Sequence, residues 1–238
     1  MKSAIKAPWA FIVTWLRYYY AIHFLESGLN FALFDFIPDF SKAGRAGPFQ
    51  VELAAIGLYQ LVKYAEVLLG AMLLLNIAVP LVLILMAGIS FMIIYLNLFV
   101  SPDPRQLFSG TQEVLLIGTL LIAYGGYYAD YCRVNAKPFW FWDGFIGIDR
   151  PVPQRPFNSL GVTPTVSSKD YVWVVGVGIL VTVLVAVVSS TLANRPIRLY
   201  DYGPPLASVV LTLITMFFLA RIKPTDEASR GWVNRLGL

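Results

Sequence analysis

The sequence predicts an all-α integral membrane protein with six membrane-spanning helices, and three observations lead to this fold class. The chain has 238 residues, of which 58% are hydrophobic and 13% are charged. A soluble domain carries about 25% charged residues. The mean hydropathy is +0.67. Apolar runs of the roughly 20 residues that a helix needs to cross a bilayer alternate with short segments that contain proline, glycine and charge.

Helix 1 is predicted from Trp9 to about Phe34, and a loop that contains prolines and glycines follows at residues 35–51. Helix 2 covers Glu52–Asn76. Helix 3 covers about Val79 to Val100, with Pro80 in its first turn. The link between helices 2 and 3 is so short that we expect an antiparallel hairpin.

Helix 4 is predicted from about Thr111 to Tyr131, which places Glu113 in its first turn, where the helix dipole favours an acid. Residues 133–169 contain many prolines and aromatic residues and cannot span. We expect a connector on the membrane surface with its aromatic residues in the headgroup region. A loop packed on protein is the alternative.

Residues Ser167 to Asp170 have the pattern of a capping box that opens helix 5, which runs from Tyr171 to about Leu192. Helix 6 covers about Leu206 to Leu219, and a basic tail follows. The chain therefore divides into a four-helix bundle at 1–135, an aromatic connector at 136–169 and a two-helix extension at 170–238.

Six spans place both termini on one side, and the basic residues indicate which side it is. Arginine and lysine concentrate on cytoplasmic segments of membrane proteins. The side of the termini receives Lys2, Lys6, Arg17, Arg133, Lys137, Arg150, Arg155, Lys169, Arg221, Lys223, Arg230 and Arg235. The opposite side receives Lys42, Arg45, Arg105, Arg195 and Arg198. Both termini are predicted to be cytoplasmic.

Helix 2 carries charges near its middle, at Lys63 and Glu66. A charge at the bilayer centre costs about 2.5–3.5 kcal/mol on insertion scales, so such residues face the bundle interior and find partners there. At 100° per residue, one stripe of helix 2 holds Glu52, Tyr59, Lys63, Glu66 and Gly70. We expect this stripe to face other helices.

Helix 1 offers polar partners for that stripe. His23, Glu26 and Asn30 share one face, Glu26 can pair with Lys63, and Arg17 points elsewhere. Asn97 of helix 3 and Glu113 of helix 4 can add to this polar cluster. The alternative is that the polar residues only form hydrogen bonds between helices, which contribute about 1 kcal/mol or less each. For the cluster as a whole we favour a ligand site.

The composition argues against several kinds of site. The net charge of +4 lies in loops and tails and indicates no nucleic-acid partner. His23 is the only histidine, which excludes a bis-histidine haem and a multi-histidine metal site. A metal site with the two carboxylates of Glu26 and Glu66 as ligands would lack the Glu-x-x-His spacing of di-iron bundles. With Cys132 as the one cysteine, there is no disulfide within the chain. We expect no haem, no metal and no catalytic residue.

Two stretches resemble the DoxX-like membrane proteins. Residues 16–31, LRYYYAIHFLESGLNF, are similar to the first helix of that family. Residues 58–76, LYQLVKYAEVLLGAMLLLN, are similar to its second helix with Lys-x-x-Glu and glycine positions. The resemblance covers about residues 10–135. Asn97 stands where many relatives have histidine, and residues 136–238 have no counterpart in the basic unit.

The resemblance implies a small four-helix membrane bundle that associates with redox partners in the inner membrane of a bacterium. Some relatives are subunits of a thiosulfate:quinone oxidoreductase, and others belong to oxidative-stress complexes. By analogy, the family's polar positions would bind a quinone headgroup or a small anion. In this chain those positions are Arg17, His23, Glu26, Asn30, Lys63 and Glu66, to which we add Tyr59 and Asn97.

Two functions stay open. The first is a membrane subunit of a redox complex that binds a quinone or similar carrier and does not turn over substrate alone. The second is an accessory or scaffold subunit of a larger membrane complex. For the second, Trp140 and Trp142 in the connector and Gly176 and Gly178 in helix 5 are the candidate partner contacts. A transporter is a weaker third, because neither inverted repeats nor broken helices are evident.

Overall fold

The computed structural model describes residues 7–38, 44–128 and 166–221, and within these ranges all regular structure is helical. Cys132, the two chain tails and residues 136–165 of the predicted connector, with Trp140 and Trp142, lie outside the described residues, and the last two connector residues, 168 and 169, belong to a helix. The helices are α1 (Ala7–Phe34), α2 (Gly47–Ala55), α3 (Leu58–Leu74), α4 (Val79–Tyr95), α5 (Pro104–Ala123), α6 (Gly125–Tyr128), α7 (Ser168–Leu192) and α8 (Leu199–Arg221). A 3₁₀ turn at Gly44–Ala46 precedes α2, and a π-helical turn at Leu96–Val100 extends α4.

Four helical segments are long and apolar enough to cross a membrane, so the prediction of an all-helical membrane protein is confirmed at that level. These segments are Val79–Val100, Pro104–Ala123, Ser168–Leu192 and Asp201–Arg221. The bent pair of α2 and α3 makes a fifth if it is counted as one span. α1 is not among them, although its 28 residues would reach about 42 Å.

α1 lies at the centre of the described helices. It packs against α3 on one side and against α8 and α7 on another, and it also meets α5. Its side chains therefore meet protein, and aromatic and polar residues are tolerated there. Phe11 and Tyr20 are 0% exposed, and Arg17 is 1% exposed.

The α7–α8 hairpin covers one side of α1. Phe11 lies in an apolar cluster with Val174 and Met216. The Tyr18 hydroxyl is hydrogen-bonded to the Thr215 hydroxyl at 3.1 Å. Near the start of α8, the Trp15 indole donates to the carbonyl of Pro205 at 3.4 Å. The last two helices are thus joined directly to the first.

The predicted helix 2 is broken, and its continuity was predicted wrongly. Gly57 has φ +81°, a left-handed conformation that favours glycine, and it ends one helix and begins the next. α2 and α3 meet there at 87°. Glu52 lies on α2 and is exposed, so it does not share the stripe of Lys63. This bend is a broken helix of the kind that the sequence did not show.

The start of the fourth span was also predicted wrongly. Asp103 caps α5 by accepting hydrogen bonds from the amides of Arg105 at 3.0 Å and Gln106 at 3.1 Å, and Pro104 occupies the first turn. The helix therefore begins seven residues before Thr111. Glu113 lies in its middle, 4% exposed, and not in its first turn.

Among the other helix starts, two predicted signals are confirmed and one start was predicted wrongly. The capping box at Ser167 and Asp170 is confirmed, and so is Pro80 in the first turn of α4. The last helix begins at Leu199 and not near Leu206, with two prolines inside it. Arg195 forms two hydrogen bonds of 2.7 Å with Asp201 in its first turn.

Glycines allow α1 and α3 to approach closely. A Cβ on Gly28 would lie 2.7 Å from the carbonyl oxygen of Lys63 and 2.7 Å from Val67 Cγ2. A Cβ on Gly70 would lie 2.9 Å from Leu25 Cγ and 3.1 Å from the carbonyl oxygen of Ala21. Both contacts include backbone, which cannot rotate away.

Gly28→Ala is therefore expected to lower the free energy of unfolding by about 1–3 kcal/mol, the usual cost of overpacking. Gly88→Ala in α4 is the matched control, since nothing lies within 4 Å of a Cβ there. Alanine should stabilise that exposed helical position slightly. Thermal unfolding of the purified variants in mild detergent measures both. Equal melting temperatures for the two variants would contradict a close contact at Gly28.

The α7–α8 contact offers a second matched pair on one helix. A Cβ on Gly178 would overlap Val209 Cγ2, whereas a Cβ on Gly176 meets nothing within 4 Å. We expect Gly178→Ala to lower the melting temperature and Gly176→Ala to leave it unchanged or raise it. A loss of stability in Gly176→Ala alone would show that the contact between α7 and α8 differs from the one described.

Candidate functional site

The central feature is an ion pair between Lys63 and Glu66, one turn apart on α3. Lys63 Nζ donates to Glu66 Oε1 at 2.9 Å and to Oε2 at 2.8 Å. It also donates to the hydroxyl of Ser27 on α1 at 2.7 Å. The Lys63 side chain is 13% exposed and that of Glu66 is 3% exposed. Lys63 is thus the more exposed member of the pair.

The residue of α1 that binds Lys63 is Ser27, which was not among the residues selected from the sequence. Glu26 precedes it by one residue and therefore points about 100° away. The example of a Glu26–Lys63 ion pair was wrong, because the carboxylate that binds Lys63 is that of Glu66. Ser27 adjoins Gly28, where α1 and α3 are in close contact, and a glycine in a predicted helix was the available signal.

The predicted polar stripe of α1 borders this ion pair without joining its hydrogen bonds. His23, Glu26 and Asn30 are all half-buried. His23 is close enough to Lys63 to interact with it electrostatically, and its ring packs edge-to-face on Phe24 at 5.6 Å. Of this stripe, His23 is the residue with an interaction with Lys63.

Aromatic rings border the ion pair on another side. Lys63 Nζ lies 5.4 Å from the ring centroid of Tyr59, a distance at which cation–π attraction operates. Phe31 packs edge-to-face against Tyr59 at 5.9 Å and against Tyr64 at 5.7 Å. Tyr64 is 57% exposed. An aromatic surface thus extends from the ammonium to the exterior of the bundle.

A second polar group lies deeper, where α1, α4 and α5 meet. The Ser90 hydroxyl donates to Glu113 Oε1, and the Tyr20 hydroxyl is hydrogen-bonded to Ser90. Glu66 is close enough to both Glu113 and Tyr20 to interact with them electrostatically. Sequence analysis admitted Glu113 to the cluster but missed Tyr20. Tyr20 lies two helical turns before Ser27, on the same side of α1, and that spacing was the available signal.

Arg17 is buried in a separate place. Its Nη1 donates to the Asn76 side-chain oxygen and to the Tyr124 hydroxyl, the latter at 3.2 Å. Arg17 and Ser27 are ten residues apart on α1, which corresponds to about 15 Å along the helix. The structure therefore does not bring Arg17 together with the Lys63–Glu66 pair.

Asn97 lies away from the ion pair as well. It occupies the π-helical turn after α4, and its amide donates to the exposed Ser109 hydroxyl at 3.4 Å. The side chain that α5 sends toward the cluster is Glu113. Of the candidate partner contacts, Gly178 packs internally against Val209, and Gly176 faces open space.

The described part of the chain contains no group of three or more histidine, cysteine, aspartate or glutamate residues arranged to hold a metal ion. The donors that it does bring together are an ammonium, hydroxyls and carboxyls. Such a set can hydrogen-bond a carbonyl or a small anion and can exchange protons.

Lys63→Met is expected to destabilise the protein by about 3 kcal/mol, because it leaves the Glu66 carboxylate buried without its partner. The double variant Lys63→Met/Glu66→Leu removes both charges and is expected to unfold within a few degrees of the native chain. Thermal unfolding in detergent compares the two. A single variant as stable as the native chain would contradict a buried ion pair at this position.

Comparison with known proteins gives no relative. No family model matches the chain, and no curated protein and no solved structure matches it either. The resemblance to the DoxX-like family therefore stays a prediction from the two quoted stretches.

Proposed function

We propose that the chain is a membrane subunit associated with a redox complex and that it binds the headgroup of a quinone, or of a similar lipid-soluble carrier, beside Lys63. The observation that carries this proposal is the ammonium of Lys63, held by Glu66 and Ser27 at 2.7–2.9 Å and bordered by Tyr59, on a side chain that is 13% exposed. The resemblance to DoxX-like proteins supports the same function by analogy.

The surroundings suit each part of such a ligand. A quinone carbonyl accepts hydrogen bonds, and Lys63 Nζ is a charged donor, which makes the stronger kind of bond. The rings of Tyr59 and Tyr64 offer flat surfaces for a quinone ring. Beyond Tyr64, the exposed side chains of Leu61 and Leu68, 64% and 62% exposed, give an isoprenoid tail an apolar path along α3.

The finer topology belongs to this proposal. Six spans require that α1 and the bent α2–α3 pair cross the membrane along with the four apolar segments. With the basic residues distributed as in the sequence, both termini are then cytoplasmic. The membrane is proposed to be the inner membrane of a bacterium, and the partners are other membrane subunits.

An accessory or scaffold function is the second candidate, and one observation favours it. α7 presents an apolar exterior with open space beside Gly176. Its neighbours Val172 and Trp173 are 72% and 58% exposed. A partner helix can approach closely at a small residue. The bend at Gly57 resembles the broken helices of transporters, but Lys63 and Glu66 lie on the unbroken α3.

Quinone binding is tested with a short-chain benzoquinone and the purified full chain, by quenching of tryptophan fluorescence. We expect Lys63→Met/Glu66→Leu to weaken binding by about 10- to 100-fold, because a hydrogen bond to a charged group contributes about 1.5–3 kcal/mol. Lys169→Met makes the same chemical change at an exposed position at the start of α7 and should bind like the native chain.

Two results decide the proposal. Native affinity in the double variant, with the protein folded, would overturn the assignment of the site to Lys63. Absence of quinone binding in the native chain, together with a co-purified membrane subunit whose capture is lost in Gly176→Leu, would favour the scaffold function.

A further inference from the structure

Glu113 is enclosed at the middle of α5, and its hydrogen-bond partners are hydroxyl groups. Ser90 on α4 donates to its Oε1, and Tyr20 on α1 is hydrogen-bonded to Ser90. Glu113 is 4% exposed, and both Ser90 and Tyr20 are 0% exposed. Three helices thus surround one carboxyl group with neutral oxygen atoms.

No cation compensates this carboxyl group within the described residues. Among the described residues, Lys63 is paired with Glu66 and Arg195 with Asp201, and the donor at Glu113 is the Ser90 hydroxyl. An ionised carboxylate in a low-dielectric interior is strongly disfavoured unless it is paired, and the group then takes up a proton instead. Hydroxyl partners suit a carboxylic acid, since each hydroxyl can donate or accept.

We infer that Glu113 is a proton-binding site, at which the carboxylate and one proton combine reversibly to the carboxylic acid, and that it is in the acid form in the resting protein. The two buried glutamates then differ in their partners. Glu66 is bound to Lys63, and Glu113 holds a proton among hydroxyls.

The groups that face Glu113 from the neighbouring helices agree with this difference. α1 contributes the neutral phenol of Tyr20, and α4 contributes the hydroxyl of Ser90. α3 contributes Glu66, whose charge is balanced by Lys63. The acid of α7, Asp170, is bound to the Ser167 amide at the start of its own helix at 2.8 Å. Each neighbour leaves Glu113 without a positive charge.

The position of Glu113 would allow it to exchange a proton with a carrier bound near Lys63. It interacts electrostatically with Glu66, which lies beside the ammonium proposed to bind a carrier. The inference that Glu113 supplies its proton to a bound quinone rests on the function proposed above. The presence of a proton on Glu113 does not depend on that function.

Infrared spectroscopy of the full chain in lipid at neutral pH, without quinone, tests the inference. A protonated carboxylic acid has a C=O band separate from those of carboxylates and amides. We expect this band in the native chain, its loss in Glu113→Gln and its retention in Glu52→Gln, which makes the same change at an exposed position. Ser90→Ala should shift it to higher frequency, because a hydrogen bond to the carboxyl group is lost.

The outcomes separate this inference from the quinone proposal. A native chain without the band, or an undiminished band in Glu113→Gln, would overturn the proton site and leave quinone binding untouched. Failure of quinone binding would leave the band as it is. If Glu113→Gln does not fold, the shift in Ser90→Ala decides, and an unshifted band then overturns the inference.

Discussion

The close approach of α1 and α3 is the constraint on which the rest of the structure depends. Gly28 and Gly70 remove side chains from the crossing, so that backbone atoms of one helix lie against the other. This contact brings Ser27 within 2.7 Å of Lys63 Nζ and buries Glu66. A wider crossing would leave a lysine and a glutamate in an apolar helix without protein around them, which is costly where no water solvates the charges.

Much of the fold was predictable because its signals are local. The apolar runs at 79–100 and 171–192, the capping box at Ser167 and the proline at the start of α4 are all written in short stretches. The bend at Gly57 and the early start of α5 were not predicted. The sequence around Gly57 does not distinguish it from a glycine inside an apolar helix, because the difference lies in its φ. The residues that follow the Asp103 cap, 104–110, are polar, so the sequence did not show that α5 already begins there.

The candidate site was predictable only in part, for a related reason. Charges in an apolar run are conspicuous, so Lys63 and Glu66 stood out. Ser27 and Tyr20 did not, because serine and tyrosine are common in membrane helices and their importance comes from which residue faces them. Arg17 was conspicuous for its charge, yet it binds Asn76 and Tyr124 elsewhere. Polarity identified the groups, and only the packing of three helices identified their partners.

The central position of α1 has a consequence for how the chain folds. Phe11 and Tyr18 of α1 are enclosed by residues of α7 and α8, which lie far from α1 in the sequence. The packing around α1 is therefore completed only when distant parts of the chain have met. Local folding of neighbouring segments alone does not build the interior of the molecule.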